Sequence, residues 1–133
     1  MGDNSRGAPA AGLPAALILF AHGSRDLEWA MPFRAVQNRI TQQRPELAVE
    51  LAFLELMDPS LPAAVERVVT SGRQRVTIAP LFMAQGAHVR RDLAQIVVEL
   101  KRRHMNVEFK VLPAAGEVDT VIDAMCAWLA AAS

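Results

Sequence analysis

The stretch Ala15-Ala16-Leu17-Ile18-Leu19-Phe20-Ala21-His22-Gly23-Ser24-Arg25 decides the fold of this chain. It starts as an apolar run, ends on a histidine and a glycine, and leads into a segment with helical periodicity. Gln85-Gly86-Ala87-His88 occupies the same kind of position between a later apolar run and a later helical segment. This order of strand, polar loop and helix is typical of parallel α/β sheets, which bind their ligands beyond the carboxyl ends of the strands.

Apolar runs of strand length alternate with amphipathic segments of helical length along the whole chain. The runs are residues 15–20, 48–54, 75–81 and 107–112. The helical stripes include Trp29, Phe33, Val36 and Ile40, then Val89, Leu93, Ile96, Val97 and Leu100, and finally Val118, Val121, Ile122, Met125 and Leu129. Ser60 is the expected N-cap of a further helix that ends at Gly72. The alternation predicts a three-layer α/β/α domain with a parallel four-stranded sheet.

The composition indicates one globular domain. The chain has 133 residues, of which 52% are hydrophobic and 21% are charged. Its 14 basic and 14 acidic residues give a net charge of +0, which argues against nucleic acid or an anionic membrane surface as a partner. The single cysteine, Cys126, excludes an internal disulfide and a cysteine-rich zinc site. It fits a reducing compartment, so we expect a cytoplasmic protein.

The first 14 residues differ in composition from the rest. Met1–Pro14 is rich in Gly, Ala and Pro and has no periodic pattern, which predicts a disordered leader followed by a single domain over residues 15–133. Residues 13–21 could be read as the apolar core of a signal peptide. We favour a strand, because cleavage there would remove the first strand of the sheet. No apolar stretch approaches the roughly 20 residues that cross a bilayer.

Three residues with metal-binding and acid-base chemistry follow three successive strands. His22, Glu55 and His88 come after the first, second and third runs, at even spacings of 55 − 22 = 33 and 88 − 55 = 33 residues. Because the carboxyl ends of parallel strands share one edge of the sheet, we expect these side chains at one edge. Two imidazoles and a carboxylate suit either a divalent metal or proton transfer.

Three parts of the chain together resemble the small sirohydrochlorin chelatases, which are single-domain relatives of the class II chelatases. They are Phe20-Ala21-His22-Gly23-Ser24-Arg25-Asp26, then Ala52-Phe53-Leu54-Glu55 with Pro59, and then Ala79-Pro80-Leu81-Phe82-Met83 leading into Gly86-Ala87-His88-Val89-Arg90-Arg91-Asp92. The resemblance spans roughly Leu17–Leu112, nearly all of the predicted domain.

This resemblance implies a chelatase-like fold, related to the flavodoxin-like folds, and a homodimer. It also implies insertion of Co²⁺ or Fe²⁺ into the tetrapyrrole sirohydrochlorin, for cobalamin or siroheme synthesis. By the same resemblance His22 and His88 bind the metal and remove protons, and Glu55 assists. Neutral imidazole suits both tasks, since it ligates these ions and titrates near physiological pH. No cofactor beyond the substrate metal is expected.

Sirohydrochlorin carries many carboxylates, so a cationic or N–H-rich surface is expected beside the metal. Arg25, Arg90 and Arg91 flank the two histidines and are the expected substrate-binding residues. Gly23 and Gly86 are expected to let the backbone approach a flat ligand closely.

Several residues have a plainer structural interpretation. Asp26 is the expected cap of the first helix, and Met125 and Cys126 are expected to pack on the apolar stripe of the last helix. His104 follows three basic residues at a helix end, where we expect a solvated run without chemistry.

Three other functions are consistent with parts of the pattern. A metal or tetrapyrrole carrier on the same fold would keep both histidines, and only turnover separates it from a chelatase. A histidine phosphatase would need arginine directly before the histidine, where this chain has Ala21. A flavodoxin-like interaction domain would leave the histidines unexplained, and Gly23-Ser24-Arg25-Asp26 is not a GxGxxG loop.

Overall fold

The computed structural model describes residues 14–133 of the chain. The predicted leader, Met1–Pro14, therefore lies outside the described residues except for Pro14. The backbone carbonyl of Pro14 accepts hydrogen bonds from the N–H groups of Gln74 and Arg75 at 2.9 and 3.2 Å.

Strands and helices alternate as predicted. The strands are β1 (Ala15–Ala21), β2 (Ala48–Phe53), β3 (Arg75–Pro80) and β4 (Glu108–Val111). The helices are α1 (Met31–Gln43), α2 (Leu61–Thr70), α3 (Ala87–Arg103) and α4 (Asp119–Ala131). Short 3-10 helices at Leu27–Ala30 and Ala115–Glu117 precede α1 and α4. Each strand boundary lies within one residue of its predicted position.

The four strands form one parallel sheet in the order β2-β1-β3-β4. Phe20 of β1 is paired with Ala52 of β2 on one side and with Pro80 of β3 on the other. The predicted α/β class and the four-stranded parallel sheet are therefore confirmed.

The helices cover the two faces of this sheet unequally. Helices α2 and α3 pack on one face, over a core that includes Ile18, Phe20 and Ile78. The segment of α1 and the 3-10 helix before it packs on the other face, through Trp29, Phe33 and Ile40. The predicted stripe of α3 contributes all of its five residues to the first core, as expected from its helical spacing.

The ends of α2 are closed by the residues that the sequence indicated. The Ser60 hydroxyl accepts a hydrogen bond from the Ala63 N–H at 3.3 Å, so the predicted N-cap is confirmed. At the other end Gly72 has φ +101°, and the N–H groups of Gly72 and Arg73 donate to the carbonyls of Val69 and Val68. This pattern is a Schellman motif, which satisfies the last carbonyls of a helix.

The prediction for α4 is wrong in one respect. Met125 and Cys126 on its apolar stripe were expected to be packing residues, and yet no residue of α4 is buried. Cys126 is exposed, and Met125 is only partly covered. Helical periodicity identified the helix correctly, but it cannot say which surface covers a stripe.

Among residues 14–133, no helix is both long enough and apolar enough to span a membrane.

Candidate functional site

The strand order creates a crevice at the carboxyl end of the sheet. The chain leaves β1 towards the face covered by α1, and it leaves the neighbouring strand β3 towards the face covered by α2 and α3. Adjacent strands whose connections run to opposite faces mark the switch point at which open α/β sheets bind ligands. His22 lies on the loop after β1, and His88 lies in the first turn of α3, directly after the loop that follows β3. Both predicted motifs therefore flank this crevice.

Backbone hydrogen bonds join the loop after β1 to the loop after β2. The Leu54 and Glu55 N–H groups donate to the carbonyls of Ala21 and His22 at 2.9 and 3.0 Å, which extends the ladder beyond the strands. Gly23 has φ +97°, and a Cβ built on it would stand 1.8 Å from the Glu55 carbonyl oxygen. Only glycine fits this approach, so Gly23 is required for the shape of the loop that carries His22.

The His22 side chain contacts the β3–α3 loop at Phe82. It is exposed on one side, and its ring lies against that of Phe82, with centroids 4.6 Å apart and planes inclined by 47°. Phe82 is itself buried and makes an edge-on contact with Phe20 of β1 at 5.7 Å. The core thus supports the position of the His22 imidazole from below.

His88 is the second residue of α3 and is exposed. It follows the end of β3 by eight residues (88 − 80), and not directly as His22 follows β1. Gly86 is the N-cap of α3 and provides no side-chain cap, and the first turn contains no acidic residue. The free N–H groups of this turn and the helix dipole favour an anion beside His88.

Glu55 is exposed and lies two residues beyond β2. The next residue, Leu56, has φ +68°, a conformation that costs a non-glycine residue roughly 1–2 kcal/mol. Leu56 is nevertheless exposed, so no packing contact of a buried side chain accounts for its conformation. Unusual backbone conformations cluster at functional loops, which makes this segment of interest beside the histidines.

The three arginines differ in their surroundings. Arg90 lies 3.8 Å from a carboxylate oxygen of Glu117 and donates a hydrogen bond to the Gln85 carbonyl at 3.4 Å. Arg25 and Arg91 are exposed, and neither forms an ion pair with any residue of the range 14–133. Arg90 therefore connects α3 to the segment before α4, whereas Arg25 and Arg91 keep their charges available to a ligand.

Within residues 14–133, one copy of the chain does not group three metal ligands. No three His, Cys, Asp or Glu side chains within residues 14–133 stand close enough together to hold a metal ion. In the same range, no hydrogen bond or ion pair joins the side chains of His22, Glu55 and His88. The loop that carries His22 and the first turn of α3, which carries His88, follow adjacent strands of the sheet, and the backbone of Glu55 is hydrogen-bonded to that of His22.

The third histidine is not the solvated residue that we expected. The His104 side chain is only 11% exposed, and its Nε2 lies 3.5 Å from a carboxylate oxygen of Glu66 on α2. Its ring also contacts Phe109 of β4. The three basic residues before it are exposed as predicted, but the chain turns inward at the C-cap of α3 and buries the imidazole.

Two supporting residues escaped the sequence interpretation. Phe82 lies in the core just beyond β3, where its ring supports that of His22. Gly116 packs directly against the Met83 backbone, so that a Cβ on Gly116 would stand 1.7 Å from the Met83 carbonyl oxygen. Its N–H donates to the Phe82 carbonyl at 2.9 Å. No sequence signal distinguishes this glycine, because the approach depends on two loops distant along the chain.

Comparisons with known proteins point to one family. A family model described as CbiX matches residues 16–132. A sirohydrochlorin cobaltochelatase of Methanococcus aeolicus is 31% identical over 87 residues, covering 62% of this chain and 57% of the relative. A sirohydrochlorin ferrochelatase of Priestia megaterium is 27% identical over 108 residues, covering 81% of this chain and 41% of the relative. The matches of this chain span well under two thirds of the length of these curated relatives.

Among solved structures, the chain is similar to a cobalamin biosynthesis CbiX protein of Marinobacter aquaeolei VT8. The TM-score is 0.76 at 28% sequence identity. The match covers 87% of this chain and 94% of the other.

Proposed function

This chain belongs to the CbiX family, as its resemblance to the small sirohydrochlorin chelatases predicted, and on that premise we propose that it inserts Co²⁺ or Fe²⁺ into sirohydrochlorin. Relatives named for the cobalt and for the iron reaction both support the substrate class. Ligand preferences of the two ions overlap, and availability in the cell often decides between them.

The observation that carries this proposal is the contact between His22 and Phe82. Phe82 belongs to the β3–α3 loop and precedes His88 by six residues (88 − 82), so the His22 ring rests on the loop that leads to the second histidine. A flat macrocycle at the switch point would meet one imidazole from each side of the crevice.

The proposed roles follow from the chemistry of insertion. The substrate metal must be held loosely and lose water, and the pyrrole nitrogens of the macrocycle must lose two protons. His22 and His88 would ligate the metal and accept those protons, since neutral imidazole does both. Glu55 would assist as a further proton acceptor. An incomplete ligand set suits a transfer reaction, because a closed four-ligand site retains its metal. No resident cofactor is needed.

The carboxylates of the substrate would meet positive charge at the edge of the sheet where the two histidines lie. The uncapped first turn of α3 offers N–H groups at Gly86 and beyond, and Arg25 and Arg91 offer unpaired guanidinium groups. Beside Gly86 there is open space where a Cβ would stand, so a flat ligand can approach the backbone there. Arg90 would contribute only by leaving Glu117.

We further propose that the chain acts in the cytoplasm as a homodimer. An open sheet with one crevice encloses a macrocycle from one side only, so a second copy would complete the enclosure. Symmetric homodimers are the commonest oligomers. The alternative function is a carrier that binds metal or tetrapyrrole without turnover, which the exposed histidines would also allow.

A metal-insertion assay tests the proposal directly. Sirohydrochlorin is incubated with the protein and Co²⁺, Fe²⁺ or Ni²⁺ in parallel, and the absorption change of the macrocycle is followed. We expect His22→Ala and His88→Ala each to lose most activity, since general-base contributions alone are typically about 10²–10⁴-fold. Glu55→Gln should lose less, because the amide keeps the shape but not the basicity. If the wild type binds metal or sirohydrochlorin but does not insert the metal, the carrier function is favoured.

His104→Ala is the matched control, because His104 is the only other histidine in the chain. Removing its mostly buried ring and its contact with Glu66 should lower stability by roughly 1–3 kcal/mol. Its insertion rate below the unfolding temperature should remain that of the wild type. A His22→Ala, His88→Ala double variant that is folded by circular dichroism and inserts Co²⁺ at the wild-type rate would exclude the proposed roles.

A further inference from the structure

The four residues Ala114–Glu117 lie between β4 and α4 and form a closed turn, which we refer to as the 114–117 segment. Ala114 is fully buried in the core that α2 and α3 cover. The Glu117 N–H donates to the Ala114 carbonyl at 2.8 Å. In return, Oε1 of the Glu117 carboxylate accepts a hydrogen bond from the Ala114 N–H at 3.0 Å. The Glu117 side chain is therefore held in one place by a buried residue.

One side of the 114–117 segment binds the backbone on which His22 depends. Leu81 still belongs to the ladder of the sheet, since its N–H donates to the Phe20 carbonyl at 2.8 Å. Phe82 is the next residue, and its carbonyl accepts a hydrogen bond from the Gly116 N–H at 2.9 Å. The ring of Phe82 contacts the His22 imidazole. A displacement of the segment would therefore move Phe82 and the imidazole that rests on it.

The other side of the 114–117 segment reaches the start of α3, which carries His88. Oε2 of Glu117 lies 3.8 Å from Nη2 of Arg90, and the same nitrogen donates to the Gln85 carbonyl at 3.4 Å. Arg90 follows His88 by two residues (90 − 88), and Gln85 precedes it by three (88 − 85). The guanidinium thus joins the segment to the chain on both sides of His88.

The fixed position of the carboxylate gives this ion pair a defined geometry. An exposed ion pair usually contributes little to stability, because two long side chains lose their freedom when it forms. Here the Ala114 N–H already orders the Glu117 side chain, so Arg90 meets a carboxylate that is held in place. Catalysis is more sensitive to geometry than stability is, and a displacement of about 1 Å can cost about 10²-fold in rate. A pair of small importance for folding can therefore be important for the positions of two catalytic groups.

We propose that Glu117 is a positioning residue, which sets His22 and His88 relative to each other. It acts through the turn that binds the Phe82 backbone and through the guanidinium of Arg90. Arg90 is then a link within the protein and not a ligand of the substrate carboxylates. The effect on catalysis rests on the proposed function, whereas the geometry that Glu117 sets does not.

Two substitutions of Glu117 separate its two contacts. Glu117→Ala removes both of them. In Glu117→Gln the amide oxygen can still accept the hydrogen bond from the Ala114 N–H, but the amide NH₂ then faces the Arg90 guanidinium, donor against donor. We therefore expect Glu117→Ala to displace both His22 and His88, and Glu117→Gln to displace His88 alone.

Proton–carbon NMR spectra of the histidine rings report these positions in the full-length protein without any substrate. The ring current of Phe82 shifts the ring-proton resonances of His22, so they move when this contact changes. His104, at the opposite end of α3 from His88, is the internal reference and should not move. In the insertion assay, Glu117→Ala should lower kcat by about 10²-fold with a nearly unchanged KM for sirohydrochlorin. Glu117→Gln should lower kcat less.

Arg90→Gln breaks the same link from its other end and separates displacement from a change of charge. By electrostatics alone, loss of the Glu117 charge and loss of the Arg90 charge would shift the His88 resonances in opposite directions. Loss of the link should shift them in the same direction in Glu117→Gln and Arg90→Gln. Opposite shifts, or no shift in either variant, would overturn the proposal.

Glu99→Ala is the matched control, because Glu99 is also an exposed glutamate that accepts a hydrogen bond from an arginine, Arg102, at 3.0 Å. It lies 11 residues beyond His88 on α3 (99 − 88), and its loss should leave kcat and the resonances of His22 and His88 unchanged.

The remaining outcomes are equally decisive. An unchanged kcat in Glu117→Ala, or a lowered kcat with unmoved His22 and His88 resonances, would overturn the positioning role. If Glu117→Ala also moves the His104 resonances, the whole domain has changed, and the comparison of Glu117→Gln with Arg90→Gln decides. If the wild type inserts no metal, the proposed function fails, but the resonances still test the geometry.

Discussion

Two glycines of the candidate site serve different purposes, although the sequence places both beside a histidine. Gly23 has a positive φ and touches the Glu55 carbonyl, so its lack of a side chain is demanded by the fold. Gly86 has an ordinary φ of −73°, and a Cβ there would meet no atom within 4 Å. Local packing therefore explains the first glycine but not the second, which leaves Gly86 open to a ligand or a second copy.

This difference predicts opposite results for two alanine variants. Gly23→Ala should destabilise the protein by roughly 2–4 kcal/mol, because it adds a backbone collision to the cost of a positive φ. Gly72→Ala, with φ +101° and no neighbour within 4 Å, is the matched control and should cost only about 1–2 kcal/mol. Gly86→Ala should change stability by less than about 1 kcal/mol. Urea unfolding measures all three.

If Gly86→Ala keeps its stability but loses insertion activity, the backbone of that loop contacts the ligand. Equal stability losses for Gly23→Ala and Gly72→Ala would contradict the close approach to Glu55.

At the scale of elements, α2 shows how local sequence signals can specify a helix completely. Its N-cap hydroxyl, its proline in the first turn and its terminal glycine are all visible in the sequence and all occupy their expected positions. Its inward residues Leu61, Ala64, Val65 and Val68 are buried at helical spacing. α4 shows the opposite case, since most of its residues are apolar and none of them is buried.

Ser60→Ala should therefore lower the stability by about 1 kcal/mol, because the Ala63 N–H loses its partner. The matched control is Thr70→Ala at the exposed other end of α2, which should be neutral or slightly stabilising, since alanine has the higher helix propensity. Thermal unfolding followed by circular dichroism gives both values. A loss for Thr70→Ala as large as that for Ser60→Ala would show that the cap is not the cause.

At the scale of the whole molecule, the proposed homodimer makes a prediction about stability. An oligomer is stabilised by mass action, so the unfolding temperature of the wild type should rise with protein concentration. Trp128→Ser removes the largest exposed apolar side chain of α4 and should abolish this dependence. Met105→Ser, at a position that is 86% exposed and outside α4, should keep it. Calorimetry over a hundredfold range of concentration tests this, and a concentration-independent wild type would contradict it.

The order of elements and the candidate residues were accessible from the sequence because they depend on local patterns. Period-2 and helical repeats, Ser60 and Gly72 as helix ends, and a histidine directly after an apolar run all act over a few residues. The parallel geometry then brings the carboxyl ends of different strands to one edge without further information, which is why we predict that His22 and His88 serve one site.

Contacts between distant segments were decided only by the tertiary structure. Phe82 contacts His22, Gly116 contacts the Met83 backbone, and His104 is largely covered and lies beside Glu66. Each of these contacts depends on how two loops or helices approach one another. Periodicity likewise predicts that α4 has an apolar face but not what covers it, because the hydrophobic effect is non-directional and rewards any burial of that face. The sequence by itself determined the elements and the chemistry available at their ends, and the tertiary structure decided which surfaces meet.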